Sequence, residues 1–223
     1  MKAFARILLC VILLMMSLTA VAAQDTPDCP DDVPGYLFYS RGNGAYLEAD
    51  YQRAIEEYTC AIAYNPDNAM AYTYRGSSYY RLGQYNAAMD DYTTALDLDS
   101  TLPGAYMGRA AIYMVRNQPE KAITEASRGL EQAPDDADLH YTLGRAYVQV
   151  GDYVRSASSF KQTIRLQPDY ADAYWGLGAD YDSLDMIEPA ISAYRQYVER
   201  AGDDADQTVI DRLEFLERQF NRA

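Results

Sequence analysis

A chain of 223 residues, 49% hydrophobic and 23% charged, is long enough for one ordinary domain or one short solenoid and too apolar for wholesale disorder. Its net charge of −14 repels nucleic-acid phosphates and anionic lipid heads, so neither is an expected partner. Tyrosine dominates the aromatic content, 22 against 5 Phe and 1 Trp, and a ring with a wet polar tip suits half-buried seams and contact surfaces.

At the N-terminus, Lys2 and Arg6 precede an apolar run from Ile7 to Leu18, and Ala20-Val21-Ala22-Ala23-Gln24 supplies small residues where a signal peptidase cuts. That order defines a secretory signal peptide over residues 1–23 and predicts an exported chain, secreted or periplasmic. The alternative is an uncleaved N-terminal membrane anchor, for which the apolar run is slightly short. No stable membrane insertion is expected after cleavage. Residues 24–34 carry Pro27, Pro30 and Pro34 among four aspartates and read as a linker arm. Cys29 and Cys60 remain after cleavage in an oxidising compartment, where they either bridge the arm to the first repeat or stay as free thiols.

From Gly35 onward the sequence repeats every 34 residues, in frames 35–68, 69–102, 103–136, 137–170 and 171–204. The fourth place of the frame holds Phe38, Tyr72, Tyr106, His140 and Tyr174. The eighth holds Gly42, Gly76, Ala110, Gly144 and Gly178, and the eleventh Ala45, Tyr79, Tyr113, Tyr147 and Tyr181. The twentieth holds Ala54, Ala88, Ala122, Ser156 and Ala190, and the twenty-fourth Tyr58, Tyr92, Ala126, Phe160 and Tyr194. Spacings of three and four put these groups on one face of each of two helices, with small residues where the two backbones approach. Turn signals such as Leu82-Gly83-Gln84 and Val150-Gly151-Asp152 separate the helices, and Pro66, Pro134 and Pro168 punctuate the ends of units.

The pattern resembles the tetratricopeptide repeat (TPR) from Gly35 to Asp204, most closely in Tyr174, Leu177, Gly178, Tyr181, Ala190 and Tyr194. The resemblance implies an all-α fold, a right-handed superhelical solenoid of five helix-turn-helix repeats. Unit three departs furthest, with Ala110, Pro119, Ala126 and Gly129, and looser packing is expected there. Residues 205–223, with Val209, Leu213, Leu216 and Phe220 at helical spacing, form an amphipathic helix that caps the last unit.

The seventh place holds Arg41, Arg75 and Arg109, and the twenty-third holds Glu57, Asp91 and Glu125; in units four and five these become Leu143 with Ser159 and Leu177 with Ala193. In a hairpin that turns near place fifteen the two places face each other, which predicts three structural ion pairs exchanged for apolar contacts in the last two units. Catalysis has few ingredients. The single histidine, His140, holds an aromatic packing place, and the aspartate clusters at 135–138 and 203–206 lie at helix starts, where carboxylates cap. No cofactor or metal is expected, and the chain is not expected to be an enzyme.

What the resemblance implies instead is binding, in a concave groove lined by the first helix of each unit. Its places give Tyr36, Tyr39, Asn43 and Tyr46 in unit one, Met70, Thr73, Ser77, Tyr80 and Arg81 in unit two, and Met107 and Met114 in unit three. Units four and five contribute Tyr141, Arg145 and Trp175. A surface of rings and methionines with few charges suits an extended, partly apolar peptide or a helix. The expected function is an exported protein–protein interaction scaffold; the alternative is a cell-envelope carbohydrate-binding module whose sugars stack on Tyr and Trp.

Overall fold

The computed structural model describes residues 29–30 and 32–221. The expected signal peptide and the start of the arm lie outside the described residues. Among the described residues eleven α-helices follow in pairs: α1 (Gly35–Leu47) with α2 (Tyr51–Tyr64), α3 (Ala69–Arg81) with α4 (Tyr85–Leu98), and α5 (Pro103–Val115) with α6 (Pro119–Gln132). Then come α7 (Ala137–Gln149) with α8 (Tyr153–Leu166), α9 (Ala171–Ser183) with α10 (Ile187–Ala201), a 3-10 turn at Gly202–Asp204, and α11 (Gln207–Phe220). The first helices begin 34 residues apart, and so do the second helices.

Local chemistry sets these boundaries. Asp50, Asn68, Asp136, Asp152 and Asp206 each accept a hydrogen bond from a backbone N–H in the first turn of the helix that follows, while Pro103 and Pro119 open α5 and α6 where no donor is needed. Between the helices of every unit, place fifteen is left-handed: Ala49, Gly83, Asn117, Gly151 and Asp185 all have φ between 54° and 75°. Two of the five are glycine, so three units hold a side chain in a conformation that disfavours it.

Each first helix packs on its own partner and also touches the first helix of the next unit, from α1 to α9; second helices make no comparable contact with one another among the described residues. The first helices therefore form the inner layer of a curved solenoid and the second helices the outer one. Seams between units are filled by the ring at place twenty-four, except after unit three, where Ala126 stands there. An added Cβ on Gly42, Gly144 or Gly178, at place eight, would come within 2.6 to 2.8 Å of the ring of its own unit. At place six of the following unit, Gly108 would meet Tyr92 at 2.1 Å and Gly176 would meet Phe160 at 2.6 Å, and Tyr74 instead stacks on Tyr58 at 6.0 Å. Unit three is not loose. Ala110, Ile112, Ala122 and Ala126 have no solvent exposure, and Gly129 lets Leu139 and Tyr106 close over it, a Cβ there lying 2.8 Å from Leu139.

The ends are held differently. Cys29 and Cys60 form a disulfide, and the Tyr64 hydroxyl donates to the Pro30 carbonyl at 2.8 Å, fastening the arm against Phe38 and Ile62. At the other end α11 buries Val209, Leu213 and Leu216 against α10, and Arg212 bridges Asp182 at 2.7 Å. Phe220, placed on the apolar face by its spacing, is 49% exposed and lines a shallow surface concavity with Glu188, Ile191 and Ser192 of α10. No helix among the described residues is long and apolar enough to cross a membrane.

Candidate functional site

The inner layer holds two adjoining concavities. The first, about 500 Å³, lies across α3, α5 and α7 and is lined by Tyr46, Met70, Thr73, Ser77, Tyr80, Arg81, Tyr92, Met107, Met114 and Arg145, among others. The second, about 380 Å³, lies across α7 and α9 and is lined by Tyr141, Tyr153, Phe160, Trp175, Asp172 and Asp180, and again by Met114 and Arg145. The two shared residues make a saddle, so the concavities are stretches of one trough.

Most of the residues placed in the groove by sequence lie in this trough. Three do not. Tyr36 lines neither concavity. Tyr39 is packed between Tyr58 (5.9 Å) and Tyr74 (6.1 Å), and Asn43 accepts a hydrogen bond from the Tyr58 hydroxyl at 2.7 Å. Unit one turns Tyr39 and Asn43 into its seam with unit two, where the large ring of Tyr74 draws them. Conversely, sequence reasoning passed over Gly104, Gly108, Ala111 and Thr142, small side chains that deepen the trough, and Tyr153 and Asp180 from its flank.

Polar groups in the floor are mostly satisfied. Thr73 and Ser77 donate to carbonyls one turn back, and Ser77 Oγ lies 3.1 Å from the Tyr92 hydroxyl. Burial drives the Tyr92 phenol far above its ordinary pKa, so it is a neutral hydrogen-bonding group. Tyr141 is wedged between Phe160 (5.6 Å) and Tyr170 (4.9 Å); burial raises its pKa, Asp172 adds to the rise, and Arg145 opposes it. Arg81 lies over the Tyr51 ring at 5.2 Å and Arg145 over Tyr141 at 5.8 Å. The first concavity thus carries two arginines and no carboxylate, while the second carries Asp172 and Asp180 with Arg145 at its edge.

Behind the trough lie the residues expected to pair. Arg75 Nη2 and Nε reach the two oxygens of Asp91 at 2.7 and 2.8 Å, and Nη1 donates to Thr59 of the preceding unit at 3.2 Å. Arg109 Nη2 donates to Glu125 at 3.1 Å, while its Nε lies 3.1 Å from the other oxygen without good alignment. Arg41 and Glu57 make no such bridge. Arg41 is exposed over the Phe38 ring at 5.8 Å, and Glu57 Oε2 is buried without a partner. Unit one has no preceding unit to wall the guanidinium in, so hydration keeps it outside. His140 Nε2 lies 3.0 Å from the Pro134 carbonyl, the relation that the Tyr106 hydroxyl has with Ser100 (3.2 Å) one unit earlier. Among the described residues no three His, Cys, Asp or Glu side chains gather where they could hold a metal.

Two sequence models described as tetratricopeptide repeat match the chain, one over residues 79–146 and the other over 39–103 and 141–206. No curated protein matches it in sequence. Among solved structures, pilF of Pseudomonas aeruginosa superposes with a TM-score of 0.75 at 14% identity, over 84% of this chain and 86% of that one. TTC0263, a thermophilic TPR protein of Thermus thermophilus, gives 0.68 at 21% identity over 82% and 98%. YrrB, described as a TPR protein with an unusual peptide-binding site, gives 0.58 at 19% identity over 86% and 94%.

Proposed function

Since the chain belongs to the tetratricopeptide repeat family, we propose that it is an exported interaction scaffold holding a protein or peptide segment in its concave trough. The observation that carries this reading is the continuity of the two concavities at Met114 and Arg145, which gives a lined path across four first helices. Methionine and tyrosine supply contact area that adapts to a guest, and the trough is too open and too apolar to suit a small polar substrate. A peptide-binding site is part of the printed description of YrrB, which shares the fold. The Cys29–Cys60 bridge supports export, since disulfides persist in oxidising compartments.

Photocrosslinking in cells tests the trough. A photoreactive residue at Tyr80 and another at Trp175 capture the same partner, and one at Val154 on the outer layer, 67% exposed, captures none of it. Capture at Val154 alone would refute the groove. Retention of the chain on cell-wall glycan, lost in Trp175→Ala, would favour the carbohydrate reading instead.

A further inference from the structure

Asp180 lines the second concavity although it is only 1% exposed, and its Oδ2 has no hydrogen-bond partner. It stands at the tenth place of unit five, where the other units have Gly44, Ser78, Ile112 and Ala146, none of them ionisable. A buried carboxyl with an open lone pair destabilises a fold, so unit five carries a burden the other units avoid. Burial pushes the carboxyl up to about 6, while the Ser156 hydroxyl on α8 works the other way.

The surroundings fit a cation. Trp175, 46% exposed, with Tyr141 and Tyr153, gives the same concavity an aromatic lining, and the exposed Asp172 adds a second acid. Aromatic faces and a desolvated carboxylate both attract organic cations, the one through the ring quadrupole and the other through a charge-assisted hydrogen bond. Further polar groups around the site are Arg145 and Gln149 from α7, Ser183 from α9, and Tyr194 on α10, whose phenol senses Asp180. Arg145 is exposed, lies over the Tyr141 ring and lines both concavities, and among the described residues it bridges no carboxylate, so the first concavity offers it an alternative position.

We propose that the second concavity is a subsite for one lysine or arginine side chain of the bound segment, with Asp180 as its anionic anchor and Trp175 and Tyr141 as its walls. The proposal rests on the groove reading above and fixes the direction of the guest, its basic residue at α9 and any acidic residue towards Arg81.

Trp175 is the chain's sole tryptophan, so intrinsic fluorescence reports the site directly. The disulfide-intact chain is titrated with Nα-acetyl-lysine amide and with Nα-acetyl-norleucine amide, which lacks the amine. The lysine probe is expected to half-saturate at about tenfold lower concentration, a preference of the size that one charge-assisted contact supplies. Asp180→Asn abolishes the preference, and Asp180→Ser, copying Ser78 of unit two, does the same and guards against a folding defect in the first variant. The preference also fades as pH falls through about 6. Equal half-saturation for the two probes, no saturable response to the lysine probe, or a preference that survives both substitutions overturns the proposal. Lysine selectivity together with no retention of any member of a random peptide library would leave the subsite standing and defeat the groove.

Discussion

Replacing Arg75 by Leu removes one half of a pair that is almost wholly enclosed, with side-chain exposures of 16% for Arg75 and 7% for Asp91. The arginine gives up two short bonds to Asp91 and one to Thr59, but the larger effect is on what remains, a buried carboxylate with nothing opposite. Stranding such a charge costs about 3–5 kcal/mol. The double variant Arg75→Leu/Asp91→Ala copies Leu177 and Ala193 of unit five, and is expected within about 1 kcal/mol of the parent because no charge is left behind. Urea unfolding followed by circular dichroism measures all three proteins. A pH series adds a second check. Burial already raises the Asp91 carboxyl, against the hydrogen bonds and charge of Arg75, and it rises further once the guanidinium is gone. An acid whose folded pKa lies above its unfolded value is most destabilising above both, so the deficit of the single variant shrinks as pH falls from 7 to 4. Equal losses in the single and double variants, or a deficit that does not change with pH, would refute the reasoning.

Three further outcomes are expected. Gly108→Ala drives a methyl into the Tyr92 ring, 2.1 Å away before relaxation, and lowers stability by about 1–3 kcal/mol in the same urea assay. Ala49→Gly relieves a left-handed alanine at φ 59° and raises the melting temperature, by up to about 1 kcal/mol of stability. Asp180→Asn removes an acid whose pKa is pushed up to about 6, so it stabilises the chain by roughly 2–3 kcal/mol at pH 7.5 and by about a third of that at pH 4.5, the parent losing this stability as pH rises between its unfolded and folded pKa values.

The 34-residue period made the fold legible, because helix starts, turns and the ring at place twenty-four all follow from it. The turn at place fifteen was readable where Gly83, Gly151 and the Asn117-Gln118-Pro119 run mark it, and not at Ala49, which carries no turn signal of its own. From unit two onward the residues expected in the groove do line the trough. In unit one Tyr46 reaches the trough but Tyr39 and Asn43 turn into the seam, because tyrosine serves a seam as well as a surface and Tyr58 and Tyr74 offer contacts there. Arg41 failed as an ion-pair partner for a related reason, as a terminal unit lacks the neighbour that buries the pair in units two and three. Asp180 escaped notice because a carboxylate in an acidic chain reads as surface. Comparing the tenth place across the five units, where it alone is charged, was the signal that could have found it.

The match between place twenty-four of one unit and place six of the next has a bearing on how such a chain can lose a repeat. Excising residues 69–102 would bring Tyr58 against Gly108, a ring meeting a glycine as Tyr92 does in the intact chain. Excising 103–136 would instead press Tyr92 onto Thr142, and excising 137–170 would leave Ala126 facing Gly176 across an unfilled gap. Of these three internal excisions only the first reproduces a junction already present in the chain, so the order of the units is written into their seams and the second unit is the internal repeat whose loss disturbs them least.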